Sequence, residues 1–171
     1  MSDFSSNPAA IRLTQLGIFA ACAGALGTAY IAQYVFGLEP CVLCLYQRVP
    51  YMLAGALALL GLCLPTDGRR PTLLITVAGI IFLAGAAIGF YHVGVEQHWW
   101  ASVAACGGQL STTISIEQLQ AALSSKPPKP CDEPAFQLFG VSMAGYNSLA
   151  SLILGIATLF VARHLAANMK P

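Results

Sequence analysis

Four long stretches without Asp, Glu, Lys or Arg constrain the fold of this chain more than any other feature. They cover residues 13–38, 49–66, 71–95 and 134–162. A helix needs about 20 mostly apolar residues to cross about 30 Å of hydrocarbon, and each stretch approaches or exceeds that length. Such segments satisfy their own backbone hydrogen bonds in lipid as helices. The pattern predicts an all-α integral membrane protein, a four-transmembrane-helix bundle with helices at residues 13–36, 45–64, 71–92 and 142–162.

The composition agrees with a membrane protein. Of the 171 residues, 57% are hydrophobic and 9% are charged, whereas soluble domains have about 25% charged residues. A soluble helical bundle needs a charged outer face, which none of these stretches provides. The net charge of +1 gives no electrostatic basis for binding nucleic acid. The length predicts a single membrane domain over residues 1–171, and the first apolar stretch is too long for a cleavable signal, so we expect it to be retained.

The distribution of lysine and arginine predicts the orientation. With both termini cytoplasmic, that side holds Arg12, Arg69, Arg70, Arg163 and Lys170, and the opposite side holds Arg48, Lys126 and Lys129. This excess agrees with the positive-inside rule. The outer side then carries a short loop at residues 37–44 and a long loop at residues 93–141. Within the long loop, residues 115–123 have the pattern of a short helix lying on the membrane surface.

Pairs of small residues recur in the apolar stretches. Gly24 with Gly27, and Gly85 with Gly89, would each allow helix backbones to approach closely in lipid. We therefore expect helix contacts at both pairs.

The most informative short motif is a Cys-x-x-Cys pair, Cys41 and Cys44, at the entrance of the second apolar stretch. Such a pair can close into a disulfide and reopen reversibly. Cys44 would lie near a helix N-terminus, where the macrodipole favours a thiolate. Arg48 follows four residues later on the same helix face, and its charge would lower the pKa of that thiol further. The motif predicts a redox-active dithiol at the membrane edge.

Other interpretations of this motif remain open. Arg48 could extend to lipid headgroups, and the cysteines could form a purely structural disulfide. A zinc site would need a second closely spaced cysteine pair, and Cys106 and Cys131 lie far apart, so no metal is expected. A c-type haem would need a histidine at position 45, where this chain has Leu45.

The remaining cysteines divide into two kinds. Cys106 and Cys131 lie in the predicted outer loop, where they could form a disulfide that only stabilises the loop. Two pairs on one side suggest instead a relay, in which thiolate attack passes a disulfide from one pair to the other. Cys22 and Cys63 lie within helices one and two and are expected to be small packing residues.

Three motifs together resemble the bacterial DsbB family of disulfide bond formation proteins. They are PCVLCLYQR at the start of the second apolar stretch, YHVGVEQHWW at the end of the third, and VSMAGYN at the start of the fourth. The resemblance covers about residues 13–162. It implies a protein-dithiol:quinone oxidoreductase of the bacterial inner membrane that reoxidises a periplasmic thioredoxin-like partner of the DsbA type. The electron acceptor it implies is ubiquinone or menaquinone. One bundle with one site predicts that a monomer suffices.

The resemblance also implies residue roles. Cys106 would be attacked by the partner's thiolate, the released Cys131 would attack Cys41, and Cys44 would face the quinone. Arg48 would stabilise that thiolate and the negative charge that develops on the quinone oxygen. The other residues that the resemblance brings near the quinone are His92, Met143, Gln47 and Glu96. Trp99 and Trp100 fit an aromatic belt at the membrane interface or a surface for the partner.

Several functions therefore compete. A DsbB-like paralogue with one dedicated partner would have the same sequence features. A second enzymatic possibility is a transporter that carries electrons the other way and reduces outer disulfides, or an activity similar to that of vitamin K epoxide reductase. The bundle of that reductase usually has its Cys-x-x-Cys on the last core helix, whereas here the motif begins the second. A membrane scaffold with structural disulfides would tolerate replacement of Cys44.

Overall fold

The computed structural model describes residues 8–66, 69–101 and 129–167. Within these ranges, four helices are long and apolar enough to cross a membrane. Their bounds are α1, Pro8–Tyr34; α2, Val42–Cys63; α3, Arg70–Glu96; and α4, Met143–Ala167. A short hairpin of β1, Gln137–Leu138, and β2, Val141–Ser142, precedes α4. This confirms the predicted helical membrane protein.

The helices extend further than the sequence predicted. The first begins at Pro8 rather than residue 13, the second begins directly after Cys41, and the third continues past residue 92 to Glu96. Hydropathy marks the segment that suits hydrocarbon, but helical hydrogen bonding continues into the polar boundary on either side. The predicted surface helix at residues 115–123 lies outside the described residues.

Helices α3 and α4 approach closely through glycines. A β carbon added to Gly89 would lie 2.9 Å from the Cβ of Ser148 and 3.0 Å from its Cα. One added to Gly155 would lie 2.7 Å from a methyl group of Leu83 and 3.2 Å from the carbonyl oxygen of Gly79. Small residues at such interfaces increase van der Waals contact, which matters in lipid because apolar burial gives little net driving force there.

The two predicted glycine pairs have different outcomes. Gly85 and Gly89 both lie at helix contacts, and a β carbon on Gly85 would come 3.0 Å from the Cβ of Pro50 on α2. The prediction for Gly24 and Gly27 was wrong, because a β carbon on either would meet no atom of the described residues within 4 Å. Sequence alone does not say which face of a helix meets a neighbour.

The interior of the bundle is mostly apolar and includes a polar contact between α2 and α4. The Tyr51 hydroxyl on α2 lies 2.8 Å from the Ser151 hydroxyl on α4, and the Tyr51 ring packs edge-on against Phe82 of α3 at a centroid distance of 5.8 Å. Both Phe82 and Ser151 are fully buried. Three helices are therefore joined at one level by a hydrogen bond and an aromatic contact.

The hairpin and the start of α4 are shaped by local backbone geometry. Phe139 and Gly140 form the two-residue turn, with φ of 51° and 78°; such consecutive positive values are typical of a hairpin turn that matches the strand twist. Ser142 then caps α4, because its hydroxyl accepts a hydrogen bond from the Gly145 amide at 3.1 Å. The hairpin thus fixes where α4 begins.

Replacing Gly89 with alanine should destabilise the bundle, and replacing Gly24 with alanine should not. The new methyl group at position 89 meets the backbone of Ser148, which cannot move aside cheaply, and overpacking of this kind costs about 1–3 kcal/mol. Among residues 8–66, 69–101 and 129–167, the new methyl group of Gly24→Ala has no atom within 4 Å. Thermal unfolding of both variants in the same detergent tests this, and equal midpoints for the two would contradict the assigned α3–α4 contact.

Candidate redox site

The site lies where α2 begins and α3 ends, here called the cysteine end of the bundle. Cys41 is the N-cap residue of α2, and its sulfur accepts a hydrogen bond from the Cys44 amide at 3.3 Å. The two sulfurs are 2.9 Å apart, and both cysteines are free thiols. A sulfur in the cap position receives both an unpaired helix amide and the positive end of the helix dipole. The sequence placed this stabilisation on Cys44, whereas the structure directs it to Cys41 in the reduced pair.

A chain of hydrogen bonds connects this pair to α3 and α4. The Nε2 of His92 lies 3.5 Å from the Cys41 sulfur, and its Nδ1 lies 2.6 Å from the Gln47 side-chain nitrogen. Asn147 on α4 donates to the Gln47 oxygen at 2.6 Å. Because Gln47 accepts with its oxygen, its nitrogen donates to Nδ1. A neutral His92 therefore carries its proton on Nε2, which faces Cys41.

Glu96 closes the other side of His92. Its Oε1 lies 3.8 Å from the His92 Nε2, one helical turn away on α3. Its Oε2 accepts a short hydrogen bond from the Ser142 hydroxyl. The buried carboxylate is thus held by the same serine that caps α4, and His92 lies between a sulfur and an acid.

The positive charge of Arg48 points toward α1. Its Nη1 donates to the Gln33 oxygen at 2.7 Å, and the guanidinium carbon lies 5.0 Å from the centre of the Tyr30 ring. That ring contact is a cation–π interaction. Arg48 is therefore fixed by α1 side chains rather than extended freely, and its expected effect on the Cys44 thiolate stays a prediction.

A cavity of about 320 Å³ opens beside the cysteine pair. Its walls come from all four helices and from the segments before α2 and α4. Its polar lining includes Cys44, Gln47, Arg48, His92 and Asn147, and its apolar lining includes Ala25, Leu26, Ala29, Ala32, Met143 and Ala144. A mostly apolar cavity with a few convergent polar groups is the usual form of a small-molecule site.

Most of the site residues predicted from the sequence line this cavity, and Cys131 packs in a buried cluster with Cys41. Cys41, Cys44, Arg48, His92 and the expected quinone contacts Met143 and Gln47 all line this cavity. Cys131 is fully buried and disulfide-bonded, and it belongs to one buried cluster with Cys41, Leu43 and Val95. Cys106 lies outside the described residues.

Three contributors were missed by the sequence analysis. Asn147, Ser142 and Gln33 each contact one of the predicted residues. Asn147 had a usable signal, because a polar side chain within an apolar stretch is a functional candidate by default. Gln33 and Ser142 lie near helix ends, where polar residues are ordinary.

The environment of Cys41 favours its anionic form. Hydrogen bonds from the Cys44 side chain, the His92 ring and the Cys44 amide outweigh the effect of burial, and together they hold the pKa of the Cys41 thiol well below its usual range. The thiolate, not the thiol, is the nucleophile in disulfide exchange. The reduced pair therefore has one sulfur prepared for reaction.

The fold and the site define a class: multi-pass helical membrane proteins with a Cys-x-x-Cys site at one end of the bundle. The family model described as "Disulfide bond formation protein DsbB" matches residues 11–161. The chain belongs to the DsbB family of disulfide bond formation proteins. Membership implies oxidoreductase activity, which the cysteine pair is suited to perform.

Curated relatives agree with this assignment. Disulfide bond formation protein B of Marinobacter nauticus is 32% identical, over 84% of this chain and 87% of the relative. The protein of the same name from Chromobacterium violaceum is 43% identical, over 63% of this chain and 64% of the relative. A Rickettsia prowazekii protein named Uncharacterized protein RP370 is 32% identical, over 76% of this chain and 75% of the relative. No solved structure gave a significant match.

At neutral pH the reduced pair is expected to carry one thiolate, on Cys41. The lowered pKa of Cys41 means that this anion persists as the pH falls below 7 and is lost only in acid, whereas an ordinary cysteine loses it near pH 8.5. Thiolate ultraviolet absorbance, followed against pH in a Cys106→Ser/Cys131→Ser background, tests this. Cys41→Ser should remove the acid-stable signal and His92→Ala should shift its titration to higher pH; absorbance that appears only above about pH 8.5 would contradict the assignment.

Gln47 and Asn147 are expected to act as one unit on His92. Gln47→Leu or Asn147→Leu should slow dithiol oxidation about tenfold, the lower range for loss of a residue that orients a histidine. The double variant should be no slower than the slower single variant, because Asn147 acts through Gln47. Thr76→Val on α3, which removes a hydroxyl bonded only within its helix, serves as the control. Losses that multiply in the double variant would show that the two residues act separately.

Proposed function

We propose that the protein oxidises a thioredoxin-like dithiol protein of the DsbA type and passes the two electrons to a membrane quinone. The observation that carries this proposal is the position of Cys41 between two partners. On one side, the Cys41–Cys44 pair opens onto the apolar-walled cavity. On the other, Cys41 packs in one buried cluster with the disulfide-bonded Cys131.

The proposed relay exchanges disulfides without net loss of electrons. Cys131 is taken to pair with Cys106. The partner's thiolate attacks Cys106, forms a mixed disulfide and releases the Cys131 thiolate. Cys131 then attacks Cys41 of the closed Cys41–Cys44 disulfide, and Cys44 leaves as a thiolate. The second thiol of the partner resolves the mixed disulfide, and Cys106 re-forms its bond to Cys131, which leaves Cys41 and Cys44 reduced.

The cavity fits a quinone head group by its chemistry. The apolar wall from α1 suits a ring dissolved in lipid, and polar groups gather at the end that holds Cys44. A bound ubiquinone or menaquinone supplies an acceptor for two electrons and two protons. Arg48 and His92 would hold its oxygens by a fixed positive charge and a hydrogen bond, with Met143 beside the ring. Glu96 lies one turn from His92 and can receive or supply a proton there.

The proposed orientation places the cysteine end outside the cytoplasm of a bacterial inner membrane. Arg12, Arg69, Arg70 and Arg163 adjoin the other ends of the helices, as the positive-inside rule requires of cytoplasmic boundaries. The cysteines then face an oxidising compartment, where disulfides persist.

Cys44→Ser should abolish quinone-linked thiol oxidation. The purified protein is mixed with a reduced DsbA-type protein and a short-chain ubiquinone, and quinone absorbance and free thiols are followed together. Loss of quinone should track loss of thiol in the wild type and vanish in Cys44→Ser, because Cys41 then has no partner with which to close the disulfide beside the cavity. Cys63→Ser, an exposed cysteine at the other end of α2, should retain activity. A fully active Cys44→Ser would favour structural disulfides, and inactivity of the wild type with several partners and quinones would favour a dedicated partner.

A further inference from the structure

Three soft ligand atoms meet at the cysteine end. The sulfurs of Cys41 and Cys44 and a ring nitrogen of His92 all lie within 4.8 Å of one another. We propose that the reduced protein binds one thiophilic divalent cation of the Zn²⁺ type through these three side chains. Two cysteines and one histidine, with a fourth position open, form a ligand set found in catalytic zinc sites. The sequence has no second closely spaced cysteine pair, and the histidine that completes this ligand set comes from α3.

The distances suit this ligand set after one small movement. Tetrahedral zinc with Zn–S near 2.3 Å and Zn–N near 2.0 Å separates its sulfurs by about 3.8 Å and a sulfur from a nitrogen by about 3.5 Å. The Cys41 sulfur already lies 3.5 Å from the His92 Nε2. The two sulfurs, now 2.9 Å apart, must separate. Cys44 lines the open cavity, so rotation of its side chain can provide that separation.

The hydrogen-bond chain behind His92 can support a metal ligand. Coordination through Nε2 requires the ring proton on Nδ1, and the Gln47 amide lies 2.6 Å from that atom. If the amide turns over, its oxygen accepts the Nδ1 proton and its nitrogen donates to the oxygen of Asn147 after Asn147 also turns. Histidine ligands generally donate their second ring N–H to such an acceptor, and these acceptors affect metal affinity 10–100-fold.

The fourth coordination position faces a group that could occupy it. The Glu96 Oε1 lies 3.8 Å from the His92 Nε2, and the adjoining cavity has room for water or a small ligand. The fourth ligand could therefore be either the Glu96 carboxylate or a water molecule from the cavity.

Binding depends on the redox state of the pair. Coordination forms two metal–sulfur bonds and one metal–nitrogen bond. Because Cys41 is already a thiolate at neutral pH, only the Cys44 thiol proton is released to solvent, and no electron is transferred. The closed Cys41–Cys44 disulfide offers no thiolate, so only the reduced protein binds. A bound cation then withholds both sulfurs from reoxidation. The inference does not require that the electron acceptor be a quinone.

The test is a zinc titration of the full-length protein in detergent against a chromogenic chelator. The Cys106→Ser/Cys131→Ser background removes the other cysteine pair. We expect one Zn²⁺ for each reduced chain and none for the oxidised chain. His92→Ala and Gln47→Leu should each weaken binding at least tenfold, and Cys63→Ser should leave it unchanged. Cobalt in place of zinc should give the thiolate charge-transfer and visible bands of a tetrahedral sulfur–nitrogen site.

Several results would overturn the inference. Equal binding by the oxidised chain would place the cation elsewhere. Unchanged affinity in His92→Ala would mean that the dithiol alone chelates the metal. If His92→Ala fails to fold, the cobalt spectrum of the background protein decides, and a spectrum without tetrahedral bands counts against the site. Absence of zinc binding in a protein that still couples thiol oxidation to quinone loss would reject the metal site alone and leave the proposed function intact.

Discussion

The hydrogen bond from the Cys44 amide to the Cys41 sulfur is the contact on which the rest of the site depends. The first backbone N–H groups of a helix need hydrogen-bond acceptors from outside the helix. Where a helix begins at the edge of a membrane, water does not reach every one of these N–H groups. The cap that satisfies this need also draws a sulfur into the positive field of the helix terminus. The spacing of two residues then brings the second sulfur to 2.9 Å. The same contact therefore begins the helix α2 and holds the two cysteines of the redox pair together.

Around this contact, the buried side chains of Gln47 and His92 each have a hydrogen-bond partner on a different helix. His92 on α3, Gln47 on α2 and Asn147 on α4 form a continuous chain. In surroundings of low dielectric an unmatched amide or imidazole is costly, whereas a complete chain is rigid and orients every member. The glycine contacts between α3 and α4 bring the backbones close enough for these short side chains to meet.

The sequence predicted the helices and the main members of the site because both depend on local patterns. Apolar length specifies a span, and Cys-x-x-Cys at its edge specifies a dithiol whatever surrounds it. Contacts between helices were less accessible. Gln47 was expected near a quinone and is found bonded to His92 and Asn147, and Arg48 is held by Gln33 and Tyr30 of α1. The rotation of each helix about its axis decides which residues meet a neighbouring helix. The wrong prediction for Gly24 shows that hydropathy does not specify this rotation.

Ser142 connects the segment before α4 to the carboxyl group of Glu96 on α3. The same hydroxyl caps α4 and holds Glu96, and the segment from Cys131 through the hairpin leads directly into it. Any event that displaces this segment must alter the hydrogen bonding of the carboxylate beside His92. Thermodynamic linkage makes such an effect reciprocal. The hydrogen bond between Ser142 and Glu96 and the position of the Cys131 segment are therefore coupled, so that a change at the cavity alters the segment that precedes α4.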